Sequence, residues 1–124
     1  MTDKREIKAD ICIIGAGSAG LSTAYAGANL GLTTVLFEGA AMGGDCLNHG
    51  CVPSKALLAA AKAANDMRGT EKFGVSINAE PEVNWQKVRD HVQGVIDHIA
   101  PVDSVERFES FGTCLLYTSD AADE

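Results

Sequence analysis

One stretch decides the fold: Ala9-Asp10-Ile11-Cys12-Ile13-Ile14-Gly15-Ala16-Gly17-Ser18-Ala19-Gly20. It joins a short apolar run directly to a glycine-rich loop. An unbroken apolar run is typical of a strand buried on both faces of a parallel sheet, so we predict such a strand here, with Cys12 buried in it. The loop has the spacing GxGxxG.

A helix and a second strand are predicted after the loop. The segment from Leu21 to Leu30 is rich in alanine and leucine, which favour a helix, and Gly31 is placed to end that helix. The run from Thr33 to Glu38 predicts a second strand. Together these elements form a βαβ unit, so the predicted fold class is α/β with a Rossmann-like sheet.

In this context the loop predicts a dinucleotide site. Gly15 permits a tight turn, Gly17 lets the backbone approach a pyrophosphate, and Gly20 lets the helix pack closely on the sheet. Ser18 and Ala19 lie at the helix N-terminus, where free N–H groups and the helix dipole favour phosphate.

Glu38 ends the second strand and is predicted to bind ribose hydroxyls. Two alternatives stay open: a glycine-rich turn without a ligand, and Glu38 as a solvated strand end. The loop alone does not distinguish FAD from NAD.

A second motif follows the βαβ unit: Gly43-Gly44-Asp45-Cys46-Leu47-Asn48-His49-Gly50-Cys51-Val52-Pro53-Ser54-Lys55. In a regular helix the Cα atoms of Cys46 and Cys51 would be roughly 8–9 Å apart, whereas a disulfide needs about 4.4–6.8 Å. The two can therefore bridge only if the backbone between them leaves the helix, and Gly50 allows this. Pro53 suits the first turn of a following helix, whose positive end favours a thiolate at Cys51.

This motif resembles the redox-disulfide motif of the class I pyridine nucleotide–disulfide oxidoreductases. The resemblance includes the paired glycines, both cysteines, Asn48, Gly50 and the Pro-Ser-Lys run, and it extends from about Lys8 to Gly112. It implies that the domain binds FAD, that NAD(P)H binds in a later domain, and that the longer parent enzyme is a homodimer. The implied substrate is a small-molecule disulfide or a metal ion.

The resemblance also implies a role for each residue. Cys51 would be the charge-transfer thiolate nearest the flavin, and Cys46 the interchange thiol that attacks the substrate. Lys55 would lie near the flavin and tune its electronics, while Gly43 and Gly44 would let the backbone approach FAD. Electrons would pass between nicotinamide, FAD and the Cys46–Cys51 disulfide.

Within the family, the residues in and after the motif favour a mercuric reductase-like enzyme, with dihydrolipoamide dehydrogenase as the alternative. Further interpretations also stay open. The cysteines could be unpaired structural residues, His49 could belong to a metal site, and Lys55 could be an ordinary exposed lysine. The chain could be a flavin enzyme of different chemistry, such as a monooxygenase, or an FAD-binding fragment without turnover.

The rest of the chain predicts helices. One is expected from Ser54 to Arg68, packed on the sheet, and another from Asn84 to Ile99, with a helical piece between Val102 and Phe111. The segment 72–77 is expected to be a loop or a short extended piece.

Composition limits the possible classes. A hydrophobic fraction of 46% suits a globular α/β domain, and a net charge of −7 gives no indication of nucleic-acid binding. No apolar run is long enough for a membrane span or a signal peptide, so we expect a cytoplasmic protein. In that compartment the four cysteines favour catalysis over structural disulfides.

The end of the chain is predicted to be foreign. The last eleven residues, Cys114-Leu115-Leu116-Tyr117-Thr118-Ser119-Asp120-Ala121-Ala122-Asp123-Glu124, do not look like the next strand and resemble the translation of a transposase-type sequencing adapter. We therefore predict a native domain over residues 1–113, the first part of a longer FAD-binding domain, and no function for Cys114. A genuine C-terminal strand is the alternative. The fragment alone is expected to be inactive and to leave sheet edges unpaired.

Overall fold

The computed structural model describes residues 6–117, and within them three strands alternate with helices. In chain order the elements are β1 Ile11–Ile14, α1 Ser18–Asn29, β2 Thr34–Glu38, α2 Gly44–Asn48, α3 Cys51–Arg68, α4 Trp85–Ile99, α5 Val105–Ser110 and β3 Cys114–Tyr117. Short 3-10 turns lie at Glu71–Phe73 and Ala100–Asp103.

The predicted α/β class is confirmed. β1, α1 and β2 follow one another as a βαβ unit, and β1 pairs with β2 in parallel. The observed bounds differ from the predicted ones by a few residues, as for α3, which begins at Cys51 instead of Ser54. Asn84 caps α4, because its side chain accepts a hydrogen bond from the backbone N–H of Lys87 at 3.0 Å.

The sheet has the order β1-β2-β3, and all its strands are parallel. Ile13 lies opposite Leu36, and Leu36 lies opposite Leu115, so these three side chains form one row on the same face. Helices α1 and α5 cover this face, and the core there also includes Leu21, Ala24 and Phe108. Leu36 is completely buried, which stabilises the fold by about 1.5–3 kcal/mol relative to an exposed side chain.

The opposite face of β1 is open, so the prediction of a strand buried on both faces is wrong. The side chain of Ile14 is 88% exposed, and Cys12, which we expected to be buried, is also exposed. Strand residues alternate between faces, and α1 and α5 cover only the face of Ile13.

Helix α3 packs chiefly against α4 and α2, so the prediction that it packs on the sheet is wrong. Leu57 and Leu58 of α3 are 47% and 66% exposed, so these leucines are not covered by the sheet. Among residues 6–117, no helix combines the length and apolar character needed to cross a bilayer.

The expectation that the chain makes no strand after Gly112 is wrong. Cys114–Tyr117 forms β3, which pairs in parallel with β2 from Val35↔Cys114 to Glu38↔Tyr117. The physical reason for this strand is that a short apolar run after the turn at Gly112 can pair with the free edge of β2. The remaining tail, 118–124, lies outside the described residues, and the foreign origin of 114–124 stays a prediction.

Replacing Thr113 by Val is expected to raise the free energy of unfolding by about 1 kcal/mol. Thr113 is 3% exposed, and its hydroxyl is buried without a hydrogen-bond partner among the described residues. Urea denaturation measures the change, with the exposed Thr33→Val as control, expected to stay within about 0.5 kcal/mol of wild type. A loss of stability in T113V would show that the hydroxyl has a partner.

Candidate functional site

The glycine-rich loop lies between the carboxyl end of β1 and the start of α1. Gly15 has φ +96°, so the tight turn after β1 uses the left-handed region that glycine adopts readily. Gly17 is the N-cap of α1, and no side chain caps the helix there. No acidic residue lies in the first turn either, so the positive end of the helix is suited to an anion.

Gly20 lies where α1 packs tightly against the end of β1 and the start of the loop. A Cβ atom at Gly20 would be 1.9 Å from the carbonyl oxygen of Gly15 and 3.2 Å from Cγ2 of Ile13. No side chain fits at this point, so glycine allows the helix to lie directly on the strand.

Glu38 connects the end of β2 with the loop. Its carboxylate accepts hydrogen bonds from the backbone N–H groups of Ala16 at 2.5 Å, Gly39 at 2.8 Å and Ala40 at 2.7 Å. The residue is only 8% exposed, so the alternative of a solvated strand end is wrong. The three backbone donors compensate the burial of a carboxylate that makes no salt bridge among the described residues.

Replacing Glu38 by Ala is expected to lower the free energy of unfolding by about 1.5–3 kcal/mol, because three buried N–H groups would lose a charged acceptor. The matched control is Glu82→Ala at an exposed site, expected to change stability by less than about 0.5 kcal/mol. Chemical denaturation of both variants measures the difference. Equal stability of the two variants would contradict a bonding role for the Glu38 carboxylate.

The second motif docks on the glycine-rich loop. Gly43 and Gly44 have φ values of +84° and +57°, a consecutive left-handed pair that other residues rarely adopt. The backbone N–H of Gly43 donates to the carbonyl oxygen of Ala16 at 2.9 Å. A Cβ atom at Gly44 would lie 2.7 Å from Cα of Gly17, so the paired glycines bring α2 directly against the start of α1.

Asn48 holds this docking segment in shape, a role that sequence reasoning missed. Its side-chain amide donates to the carbonyl oxygens of Met42 at 3.0 Å and Gly44 at 2.9 Å. The signal was present in the motif, where asparagine stands four residues after Gly44, but the sequence does not show which carbonyls it meets.

The backbone leaves the helix between the two cysteines, as their spacing requires. Helix α2 ends at Asn48, Gly50 caps the next helix, and α3 begins at Cys51. Pro53 lies in the first turn of α3, as predicted. Both cysteines are free thiols here, and their side chains are close enough for each to change the pKa of the other.

The two thiols differ in acidity. The hydrogen bond from Cys51 is the main reason that the pKa of Cys46 is lowered, whereas the hydrogen bond to Cys46 is the main reason that the pKa of Cys51 is raised. This order is the reverse of the one expected from the helix dipole at Cys51, because the direct contact between the thiols outweighs that partial charge.

Lys55 lies one turn after Cys51 on α3, and its charge lowers the pKa of both thiols, though less than their hydrogen bonds change it. The structure therefore places Lys55 beside the cysteine pair. His49 instead lines an apolar groove with Trp85 and Arg89, between α3 and α4. Over the described part of the chain, no three His, Cys, Asp or Glu side chains are arranged to hold a metal ion.

The structure combines a parallel βαβ unit, a phosphate-type loop and a dithiol that is docked against this loop. This combination defines a dinucleotide-binding redox domain. The chain belongs to the pyridine nucleotide-disulphide oxidoreductase family, because the sequence model of that family matches residues 9–110. The family predicted from the motifs is thus confirmed.

Individual relatives within this family share one name. The chain is 43% identical to dihydrolipoyl dehydrogenase 2 of Haloarcula marismortui over 90 residues, which are 73% of this chain and 19% of that protein. It is 43% identical to dihydrolipoyl dehydrogenase of Vibrio cholerae over 96 residues, 77% of this chain and 20% of that protein. For dihydrolipoyl dehydrogenase of Bacillus subtilis the identity is 41% over 91 residues, 73% and 19% of the two chains.

All three relatives are named dihydrolipoyl dehydrogenase, and they give no specific support to the mercuric reductase-like interpretation. The chain spans about a fifth of the length of the curated relatives it matches.

Proposed function

We propose that this chain is the N-terminal part of an FAD-dependent disulfide oxidoreductase of the dihydrolipoyl dehydrogenase type. One observation supports this most strongly: two neighbouring free thiols, Cys46 and Cys51, are held beside a dinucleotide-type loop. A thiol pair at this place can exchange two electrons with a bound flavin, and a plain nucleotide-binding domain does not need one.

The residues present fit FAD. The start of α1 offers uncapped N–H groups at Ser18, Ala19 and Gly20 for the pyrophosphate, and Gly15 leaves open space beside the backbone. Glu38 would bind ribose hydroxyls with the lone pairs that its three backbone donors leave free.

On the thiol side, the paired glycines 43 and 44 remove the side chains that would keep α2 away from the loop. Lys55 would lie near the flavin, since it already lies beside both thiols. When bound, FAD would supply a two-electron relay between the nicotinamide and the cysteine pair.

The two cysteines would act in sequence on a disulfide substrate. The Cys46 thiolate attacks one substrate sulfur, which breaks the substrate disulfide, forms a mixed disulfide and releases the first thiol. The Cys51 thiol then loses its proton and attacks Cys46 of the mixed disulfide. The second substrate thiol leaves, and the Cys46–Cys51 disulfide remains. The substrate gains two electrons from the cysteine pair and two protons, one from Cys51 and one from solvent, and the opposite direction oxidises a dithiol.

The relatives' name favours a dithiol such as dihydrolipoamide as the substrate over a mercuric ion. NAD(P)H would bind in a part of the parent protein beyond this chain, and the parent would be a homodimer in the cytoplasm. We also predict that the fragment alone does not turn over a substrate.

Flavin titration followed by reduction tests the proposal. The full chain is expected to bind FAD, and addition of two electrons is expected to produce long-wavelength absorbance, because a thiolate of the Cys46–Cys51 pair would then lie against oxidised flavin. The control is Cys12→Ser, at an exposed strand position away from the motif, which is expected to keep that absorbance. Bound flavin that goes directly to its fully reduced spectrum would contradict contact with a redox disulfide.

A further inference from the structure

The two cysteines of the motif are held by helices of very different length. Cys51 is the first residue of α3, which has 18 residues and packs chiefly on α4. Cys46 lies in the middle of α2, which has only 5 residues. A helix this short is not stable by itself, because few backbone hydrogen bonds offset the ordering of its first turn. The position of Cys46 therefore depends on further contacts that hold α2 in shape.

The side chain of Asn48 makes two such contacts. Its amide donates to the carbonyl oxygen of Gly44 at 2.9 Å, one turn back in α2, and to the carbonyl oxygen of Met42 at 3.0 Å. Met42 and Gly44 flank Gly43, the N-cap of α2, so the two bonds tie the last residue of the helix to the turn at which it begins. Cys46 lies midway between the two ends that these bonds join.

The backbone that follows Asn48 turns back against Cys46. A Cβ atom at Gly50 would lie 3.0 Å from the carbonyl oxygen of Asp45 and 3.5 Å from Cα of Cys46. Gly50 immediately precedes Cys51, so this turn makes the two cysteines neighbours. The turn packs on residues of α2, and it therefore depends on the shape that Asn48 gives to that helix.

We propose that Asn48 is a positioning residue that stabilises the Cys46–Cys51 disulfide: its amide holds α2 in the shape that keeps Cys46 next to Cys51. This proposal rests on the proposed function, because it takes the two cysteines as the redox pair. Two thiols that are held together form a disulfide more readily, since less conformational freedom is lost when the bond closes. Asn48 acts only through this placement and exchanges no electrons itself.

Equilibration with glutathione measures this stabilisation. The cysteine pair gives two electrons to glutathione disulfide, whose S–S bond breaks while the Cys46–Cys51 bond forms, and the two protons pass to the two glutathione thiols. The full chain and its variants are brought to equilibrium at graded glutathione ratios, and free thiols are then blocked. Peptide mass spectrometry gives the fraction of disulfide at each ratio, and hence the equilibrium constant.

Two variants of Asn48 are expected to lower this constant by different amounts. Asn48→Ala removes both hydrogen bonds, and the constant is expected to fall about tenfold. Asn48→Ser is expected to fall about threefold, because its hydroxyl can still donate to the carbonyl oxygen of Gly44 one turn back. The hydroxyl of Ser22 makes the same kind of bond to the carbonyl oxygen of Ser18 at 2.7 Å.

Asn29 offers a matched control. It is also the last residue of a helix, α1, and its amide donates to the carbonyl oxygen of Tyr25, one turn back, at 2.7 Å. Asn29→Ala therefore removes the same kind of bond outside the motif. Its equilibrium constant is expected to stay within about twofold of wild type.

The outcomes separate positioning from a general effect on folding. A purely structural Asn48 would weaken the folding of the oxidised and reduced chains alike, so an unchanged constant in N48A, or an equal fall in N29A, would overturn the proposal. If N48A does not fold, N48S decides by the same criterion. If wild type forms no Cys46–Cys51 disulfide at any glutathione ratio, the proposed function itself fails, and the role of Asn48 fails with it.

Discussion

Gly20→Ala is expected to lower the free energy of unfolding by about 3 kcal/mol, at the upper end of the usual cost of overpacking. The new Cβ atom would lie 1.9 Å from the carbonyl oxygen of Gly15, which is backbone and cannot move without opening the turn after β1. Helix α1 must then move away from the sheet, and the loop changes shape with it. Urea denaturation measures the stability, and FAD titration is expected to show weaker binding in the same variant.

The chain offers a matched control in Gly94. This glycine lies inside α4, and a Cβ atom there would meet nothing within 4 Å. Gly94→Ala is therefore expected to raise stability by about 0.5–1 kcal/mol, because alanine loses less backbone entropy in a helix. If G20A were as stable as wild type, the close approach of α1 to β1 would be wrong.

The second large effect is expected from replacing each cysteine of the motif in turn. In Cys51→Ser, the Cys46 thiolate can attack lipoamide but nothing resolves the product, so a mixed disulfide should accumulate on Cys46. In Cys46→Ser, the attacking thiol is missing and no adduct should form at that position. Intact-mass and peptide mass spectrometry after incubation with lipoamide distinguish the two results.

Cys12→Ser is the control for this pair, since Cys12 is an exposed thiol on β1 and belongs to no motif. It is expected to behave as wild type, with a reversible two-electron change and no trapped adduct. An adduct on Cys51 in C46S, with none on Cys46 in C51S, would show that Cys51 is the attacking thiol and Cys46 the resolving one. It would also contradict the lowered pKa of Cys46.

The βαβ unit could be predicted from sequence because its signals are local. Close approach at Gly20 and the tight turn at Gly15 depend on the absence of a Cβ atom and on backbone sterics, which the residue type determines directly. The break between Cys46 and Cys51 could be predicted for a similar reason, since helix geometry excludes a bridge across five residues.

The packing partners could not be predicted, because they depend on distant segments. An apolar run such as that of β1 looks the same whether one face or both are covered, so the exposure of Cys12 and Ile14 was not visible in the sequence. The same applies to α3, which packs chiefly on α4. Strand β3 was missed because its residues were judged by their resemblance to the family, whereas pairing with β2 requires only a short apolar run.

The residues of the site could be predicted from the sequence, but the relative acidity of its two thiols could not. Cys46, Cys51 and Lys55 do lie together, but the order of the two thiol pKa values depends on which thiol donates to its neighbour.

The central claim is that Cys46 and Cys51 form a reversible disulfide, and a disulfide map tests it most directly. The reduced full chain would be oxidised with lipoamide, its remaining thiols blocked, and its peptides analysed by mass spectrometry without reduction. The account predicts one cross-link, between Cys46 and Cys51, with Cys12 and Cys114 blocked as free thiols, and its loss on addition of dihydrolipoamide. Cys46 and Cys51 recovered as blocked thiols, or linked to Cys12 or Cys114 instead, would contradict it.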